Sequence, residues 1–205
     1  SSRACLRSRS TASPAAAATL QVANHGVDGP GCGPKKEPCR TLSRAIAARG
    51  WTLVSGAGSI SMMGTVARAA RAGGAHTIGV IPEALVAMEV ADRDSDEFIV
   101  TRDMRQRKGV MDERSDAFLA LPGGIGTLEE LIEVWTARSL NMHHKPVVVL
   151  DPWGDYALLH DLVAHWEQRG FVREEAMTHV HWATDIDGAL DEIARAWSVA
   201  PPFGG

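Results

Sequence analysis

The chain has 205 residues, 45% hydrophobic and 22% charged, the composition of one globular domain with a sizeable core. A formal net charge of −4 leaves no basic footprint for nucleic acid or an anionic membrane surface, and no apolar run reaches transmembrane length. Lysine occurs only at Lys35, Lys36, Lys108 and Lys145, which restricts any chemistry that needs an amine nucleophile.

Ser1 to Leu20 carries Arg3, Arg7 and Arg9 among Ser and Ala, with no acidic residue. This reads as a disordered tail, with an organellar transit peptide as the alternative. Residues 1–19 are therefore assigned to a tail, 20–199 to the domain and 200–205 to a second tail. The expected compartment is the cytoplasm, or an organelle if the first segment is a transit peptide. Cys5, Cys32 and Cys39 are odd in number and lack a second cysteine pair, so they read as thiols in a reducing compartment.

A short strand is predicted around Leu20–Ala23, followed by a Gly/Pro-rich loop to Pro38. A helix runs from about Pro38 to Gly50, which suits the position just past a helix end. Trp51–Val54 reads as a strand, Ser55–Ser59 as a glycine turn, and Met62–Ala72 as an Ala-rich helix. Thr77–Ile81 is a buried strand stopped by Pro82, and residues 83–96 are a candidate lid or edge segment. Phe98–Val100 is strand-like, and Thr101 is expected to cap a helix to about Arg114.

Ala117–Leu121 is an apolar run ended by Pro122, with Gly123, Gly124 and Gly126 close behind. Thr127 stands where a helix cap is expected, with Glu130 at capping-box spacing, and the helix continues to about Leu140. Its apolar side, with Trp135, is either a dimer face or core. Val147–Leu150 is a strand, Tyr156–Arg169 a helix closed by Gly170, residues 179–183 a weak strand and Ile186–Trp197 the last helix. Apolar strands alternating with helices predict an α/β fold: one doubly wound parallel sheet with helices on both faces.

In such sheets ligands bind at the carboxyl ends of the strands. The strand–glycine turn–helix at 117–133 has the makings of a phosphate site, because glycines admit an anion to the unpaired N–H groups of a helix start. The turn Gly56-Ala57-Gly58 is not a dinucleotide fingerprint, since position 61 is Ser61, and no Gly-Lys-Ser/Thr loop exists. Arg107 and Lys108, one helix before the phosphate-type loop, can grip a phosphate or carboxylate. Of Glu129 and Glu130, one carboxylate could face a bound sugar and stabilise an oxocarbenium-like centre or activate water. His143-His144 and His179-x-His181 lack the partners of a metal site and read as surface or structural residues.

Pro122-Gly123-Gly124-Ile125-Gly126-Thr127-Leu128-Glu129-Glu130 resembles the PGGxGTxxE signature of the Lonely Guy family, cytokinin-activating phosphoribohydrolases that often carry the label lysine decarboxylase. Met104-x-x-Arg107-Lys108 resembles that family's M-H-x-R-K segment, with Arg105 where His is common. Gly56-Ala57-Gly58-Ser59 before Met63-Gly64 resembles its G-G-G-S…M-G segment, with Ala57 in place of the middle glycine. The likeness spans about residues 47–171. It implies a Rossmann-like fold, a homodimer or larger homo-oligomer, and hydrolysis of the N-glycosidic bond of nucleoside 5′-monophosphates.

By the same resemblance, Arg107 and Glu130 are the catalytic pair. Gly58, Ser59, Met104, Lys108, Gly123, Gly124, Gly126 and Thr127 bind the substrate, and no metal or cofactor is required. A pyridoxal-phosphate decarboxylase is disfavoured, because none of the four lysines is placed as a Schiff-base former on so small a scaffold. The alternative function is a non-catalytic nucleotide or molybdenum-cofactor carrier of the same fold.

Overall fold

A computed structural model describes residues 18–24, 36–86, 88 and 91–199. The expectations for the tails over 1–17 and 200–205, for the loop over 25–35, and for Cys5 and Cys32 lie outside the described residues. Among the described residues are seven strands: β1 (Thr19–Ala23), β2 (Thr52–Ser55), β3 (Thr77–Pro82), β4 (Glu97–Thr101), β5 (Ala117–Ala120), β6 (Val147–Leu150) and β7 (Val180–Ala183). The helices are α1 (Lys36–Ala48), α2 (Ser61–Ala72), α3 (Glu83–Val86), α4 (Met104–Glu113), α5 (Ile125–Ser139), α6 (Ala157–Gln168), α7 (Glu174–Met177) and α8 (Ile186–Val199).

All strand pairs are parallel, in the order β4-β3-β2-β1-β5-β6-β7. The fully apolar strands β5 and β6 are buried at every residue because helices cover both faces, whereas the edge strands β4 and β7 are partly open. One face packs Leu20, Val22, Leu53 and Leu119 against Leu42 and Ile46 of α1, Val66 of α2 and Leu190 of α8. The other packs Phe118, Val147 and Val149 against Leu131 and Trp135 of α5, with Val54 and Val80 against Met111 of α4. Each such aliphatic side chain contributes about 1.5–3 kcal/mol by leaving water. The strand order reverses at β1, so the crevice beyond the carboxyl ends of β1 and β5 is the switch point where such sheets bind ligands.

Local details depart from the sequence expectation. β3 runs through Pro82 instead of stopping before it, and α7 was not anticipated. Asp103, not Thr101, caps α4: its carboxylate accepts the Gln106 N–H at 2.8 Å, and the Gln106 side chain reaches back to the Arg102 N–H. Trp135 belongs to the core, edge-on to Trp182 and donating its indole N–H to the Ala176 carbonyl at 2.7 Å.

The far end of the 83–96 segment is strapped down. Ala91 bridges Gly58, the Asp92 N–H donates to the Ala57 carbonyl, and Arg71 grips the Asp92 carboxylate through two 2.9 Å bonds. A partly buried, bidentate ion pair thus anchors this segment to α2, beside its backbone contacts to the first glycine turn.

His143 supplies a pH-dependent element. Its Nε2 lies 3.0 Å from the Val134 carbonyl, which can only accept, so Nε2 carries the proton and the buried Nδ1 has no partner. Burial holds its pKa below the usual 6.5, outweighing the Val134 bond and nearby Asp112. As pH falls through the unfolded value of about 6.5, the unfolded chain takes up a proton that the folded chain refuses, so stability is lost on acidification. The melting temperature is expected to fall between about pH 7.5 and about pH 5.5, and by less in His143→Gln. Equal falls in both proteins would remove His143 from the explanation.

Candidate active site

The run Ala117–Ala120 places its successor Leu121 at the carboxyl edge of the sheet, where Pro122 ends the strand and α5 begins three residues later. The helix starts earlier than expected. Gly124 is the N-cap and makes no side-chain bond, while Thr127 lies inside the first turn and is fully buried. The Thr127 capping box is thus not formed: glycine at the cap offers α5 no side-chain acceptor, and Gly123 and Gly124 are exposed. Such an end favours an anion through the N–H groups of its first turn and the helix dipole. Tyr156 fixes the loop's base by donating its hydroxyl to the Leu121 carbonyl at 2.9 Å. Burial pushes that phenol up to about 12, so it stays a donor.

Behind this loop lies a buried ion pair. Arg107 of α4 and Glu130 of α5 are 2% and 4% exposed, with Nη1 at 3.4 Å from Oε1. The Arg107 Nε also donates to the Val80 carbonyl at 3.1 Å, tying the guanidinium to β3. Its seat is Gly56: a Cβ built there would lie 1.8 Å from Arg107 Nη2. The two glycine-bearing segments therefore meet through Arg107, which rests on one and pairs with the helix that leaves the other. Burying two charges costs several kcal/mol per ion before their attraction is counted, so such a pair is poor value as a structural device. Buried titratable pairs at a ligand-binding edge are candidates for chemistry.

The other sequence-selected residues separate into two groups. Gly123, Gly124, Gly126 and Thr127 form the loop and first turn of α5, and Gly58 lies in the turn after β2, its N–H directed at Met63 Sδ at 3.1 Å. Ser59 uses its carbonyl to accept from Arg68, and Gly64 packs against that same carbonyl, leaving 2.0 Å for any added Cβ. Ala57 adopts a φ of +55°, a left-handed conformation that costs a residue with a Cβ about 1 kcal/mol.

Lys108 turns away from Arg107 and bridges Glu129 and Glu133 of α5, the latter at 2.9 Å. Burial disfavours its charge, but the two carboxylates prevail and hold its pKa above the usual value. Met104 lies exposed at the start of α4. The two glutamates differ in geometry: Glu129 faces Lys108 at the surface, and Glu130 faces Arg107 inside.

Gly56, Val80 and Tyr156 were not singled out from the sequence. Only Gly56 carried a signal, as the first glycine of the turn. Among the described residues, no group of three or more His, Cys, Asp or Glu side chains is placed to hold a metal ion. Nor is any helix of the described residues long and apolar enough to cross a membrane.

Comparison with known proteins places this geometry in context. The model of a family described as possible lysine decarboxylase matches residues 63–193. A Mycobacterium marinum protein named cytokinin riboside 5′-monophosphate phosphoribohydrolase is 51% identical over 153 residues, covering 75% of this chain and 82% of that one. A Mycobacterium tuberculosis protein of the same name is 50% identical with the same coverage, and an Arabidopsis thaliana one is 43% identical over 75% of this chain and 73% of its own.

Among solved structures, a molybdenum cofactor binding protein from Rippkaea orientalis superposes with a TM-score of 0.66 at 20% identity, covering 87% of this chain and 96% of that one. The molybdenum cofactor carrier protein of Chlamydomonas reinhardtii does so with a TM-score of 0.66 at 23% identity, over 89% and 99%. At these identities the structural likeness speaks for the fold alone. The family match and the mycobacterial relatives together show that this chain belongs to the possible lysine decarboxylase family, the Lonely Guy proteins whose motifs its residues 104–108 and 122–130 resemble.

Proposed function

We propose that the chain is a hydrolase that cleaves the N-glycosidic bond of nucleoside 5′-monophosphates, cytokinin nucleotides among them, to free base and ribose 5-phosphate. The observation that carries this reading is the buried Arg107–Glu130 pair set directly behind a glycine-capped helix start. The relatives named cytokinin riboside 5′-monophosphate phosphoribohydrolase support it.

In this reading the 5′-phosphate lies on the Gly123–Gly126 loop and the N–H groups of α5, which fixes the ribose relative to Glu130. As the bond from C1′ to the base nitrogen breaks, its electron pair leaves with the base and positive charge grows on the sugar. The Glu130 carboxylate stabilises that charge and orients water, whose oxygen bonds to C1′ while its proton passes to the departing base. Arg107, held by Val80 and Gly56, keeps the carboxylate in place. Gly58, Ser59 and Met104 line the remainder of the substrate site. Lys108 acts through Glu129 and Glu133, locking α4 to α5. The reading calls for no metal or organic cofactor.

Purified protein is expected to release adenine from AMP and isopentenyladenine from its riboside 5′-monophosphate, measured by chromatography of the free base. Tight binding of a nucleotide or of the molybdenum cofactor with no base release would instead favour the carrier alternative.

The same reading includes a homodimer. Ile125, Leu140 and Met142 stand exposed along and just beyond α5, and Met104 is exposed on α4. Light scattering is expected to give twice the 21.9 kDa chain mass, and a monomer at micromolar concentration would remove this part. The compartment is read as the cytoplasm, with an organelle as the alternative.

A further inference from the structure

Asn24 is the first residue beyond β1, at the point where the strand order reverses. Gln21 pairs with Val54 and Ala23 with Ala120, so continuing the two registers sets Asn24 level with Ala57 on one side and Leu121 on the other. The Leu121 N–H donates to the Ala23 carbonyl at 3.1 Å, which keeps this alignment just past the end of β5. Asn24 therefore stands between the two glycine turns that frame the switch-point crevice. Asn24 is 1% exposed, and neither the amide nitrogen nor the amide oxygen has a hydrogen-bond partner among the described residues. Buried amides are nearly always paired, and one left wholly unpaired at a ligand-binding edge calls for a partner that arrives with the ligand.

The chemistry of the amide selects that partner. A carboxamide offers donors and an acceptor side by side. Phosphate oxygens at neutral pH only accept in this role, and would leave the Asn24 oxygen facing like dipoles. A sugar hydroxyl both donates and accepts, so a vicinal diol answers both halves of the amide. Position agrees: Asn24 is level with Leu121, just ahead of the loop that takes the 5′-phosphate, and the unit next to a 5′-phosphate is the ribose.

We propose that Asn24 is a specificity-determining contact that hydrogen-bonds a ribose hydroxyl of the bound nucleoside 5′-monophosphate. This rests on the phosphoribohydrolase reading above.

The test compares wild type, Asn24→Ala and the isosteric Asn24→Asp on AMP, 2′-deoxy-AMP, 3′-deoxy-AMP and IMP, with thermal melting alongside. Asn24→Ala is expected to raise KM for AMP about tenfold, the worth of one or two good hydrogen bonds. That penalty is expected to vanish on at least one deoxynucleotide and to persist on IMP. Asn24→Asp, which keeps the shape and the acceptor but loses the donors, should lose less on AMP than Asn24→Ala. The melting temperature of Asn24→Ala should not fall, because the amide satisfies nothing in the unliganded fold. An equal penalty on AMP and both deoxynucleotides, no penalty at all, or a penalty that vanishes only on IMP would overturn the ribose contact. If wild type releases no base, the hydrolase reading fails by itself. The same comparison read as AMP against deoxy-AMP affinity by calorimetry then still decides Asn24.

Discussion

Glu130→Gln should lower kcat for base release by about 10²–10⁴-fold while leaving nucleotide affinity within a few-fold. The substitution keeps the shape of the side chain and removes its charge. If the carboxylate faces the growing positive charge at C1′, the loss falls on the transition state and appears in kcat. The phosphate loop is untouched, since Gly123–Gly126 and the start of α5 do not depend on that charge. A stability cost accompanies the change. Arg107 is nearly fully buried, and removing its partner leaves an uncompensated charge, typically worth about 3–5 kcal/mol. Activity must therefore be measured well below the melting temperature of the variant, with AMP affinity confirming that the site is formed. Unchanged base release in a folded Glu130→Gln protein would remove Glu130 from the reaction.

The elements that build the candidate site were legible where the signal is local. The apolar run 117–121, the Pro122 stop and the glycines after it announce a strand, a turn and a helix in sequence order, and the structure has all three in that order, the strand within one residue. The parallel sheet was legible too, because strands buried on both faces are apolar throughout. The cap of α5 was misread for a physical reason. Thr127 and Glu130 have capping-box spacing, but glycine at 124 and 126 lets the chain enter the helix three residues sooner, and both side chains are then buried. Helical spacing identified Trp135 as apolar without saying whether it faced a second copy or the core, since periodicity carries no information about the neighbour. Lys108 and Arg107 are adjacent in sequence yet point to different partners, a distinction made by the packing of α4 against α5. The order of strands in the sheet, which brings residues 56 and 107 together across four intervening elements, has no local signature at all.

That long-range contact makes Gly56→Ala the sharper test of the site. A Cβ at position 56 would fall 1.8 Å from Arg107 Nη2, 2.9 Å from its Cζ and 3.4 Å from Met63 Sδ. An arginine at a surface would swing aside at little cost. This one is held by the Val80 carbonyl at its Nε and by Glu130 at its Nη1, in a site with almost no solvent access. The guanidinium can move only by lengthening one of those contacts, and a displacement of about 1 Å in a positioning group is enough to cost on the order of 10²-fold in rate. Overpacking of this kind also destabilises by about 1–3 kcal/mol, which is roughly 2–12 °C in melting temperature for a chain of this size. Position 56 itself need not touch the nucleotide for this loss to occur. If the loss passes through Arg107, the effects of Gly56→Ala and Arg107→Ala will not add: once the arginine is gone, the extra methyl has nothing to push. The double variant should be no slower than Arg107→Ala alone, and should recover part of the stability that Gly56→Ala loses. Additive losses in kcat/KM would mean that Gly56 serves the substrate directly and that the seat of Arg107 is incidental.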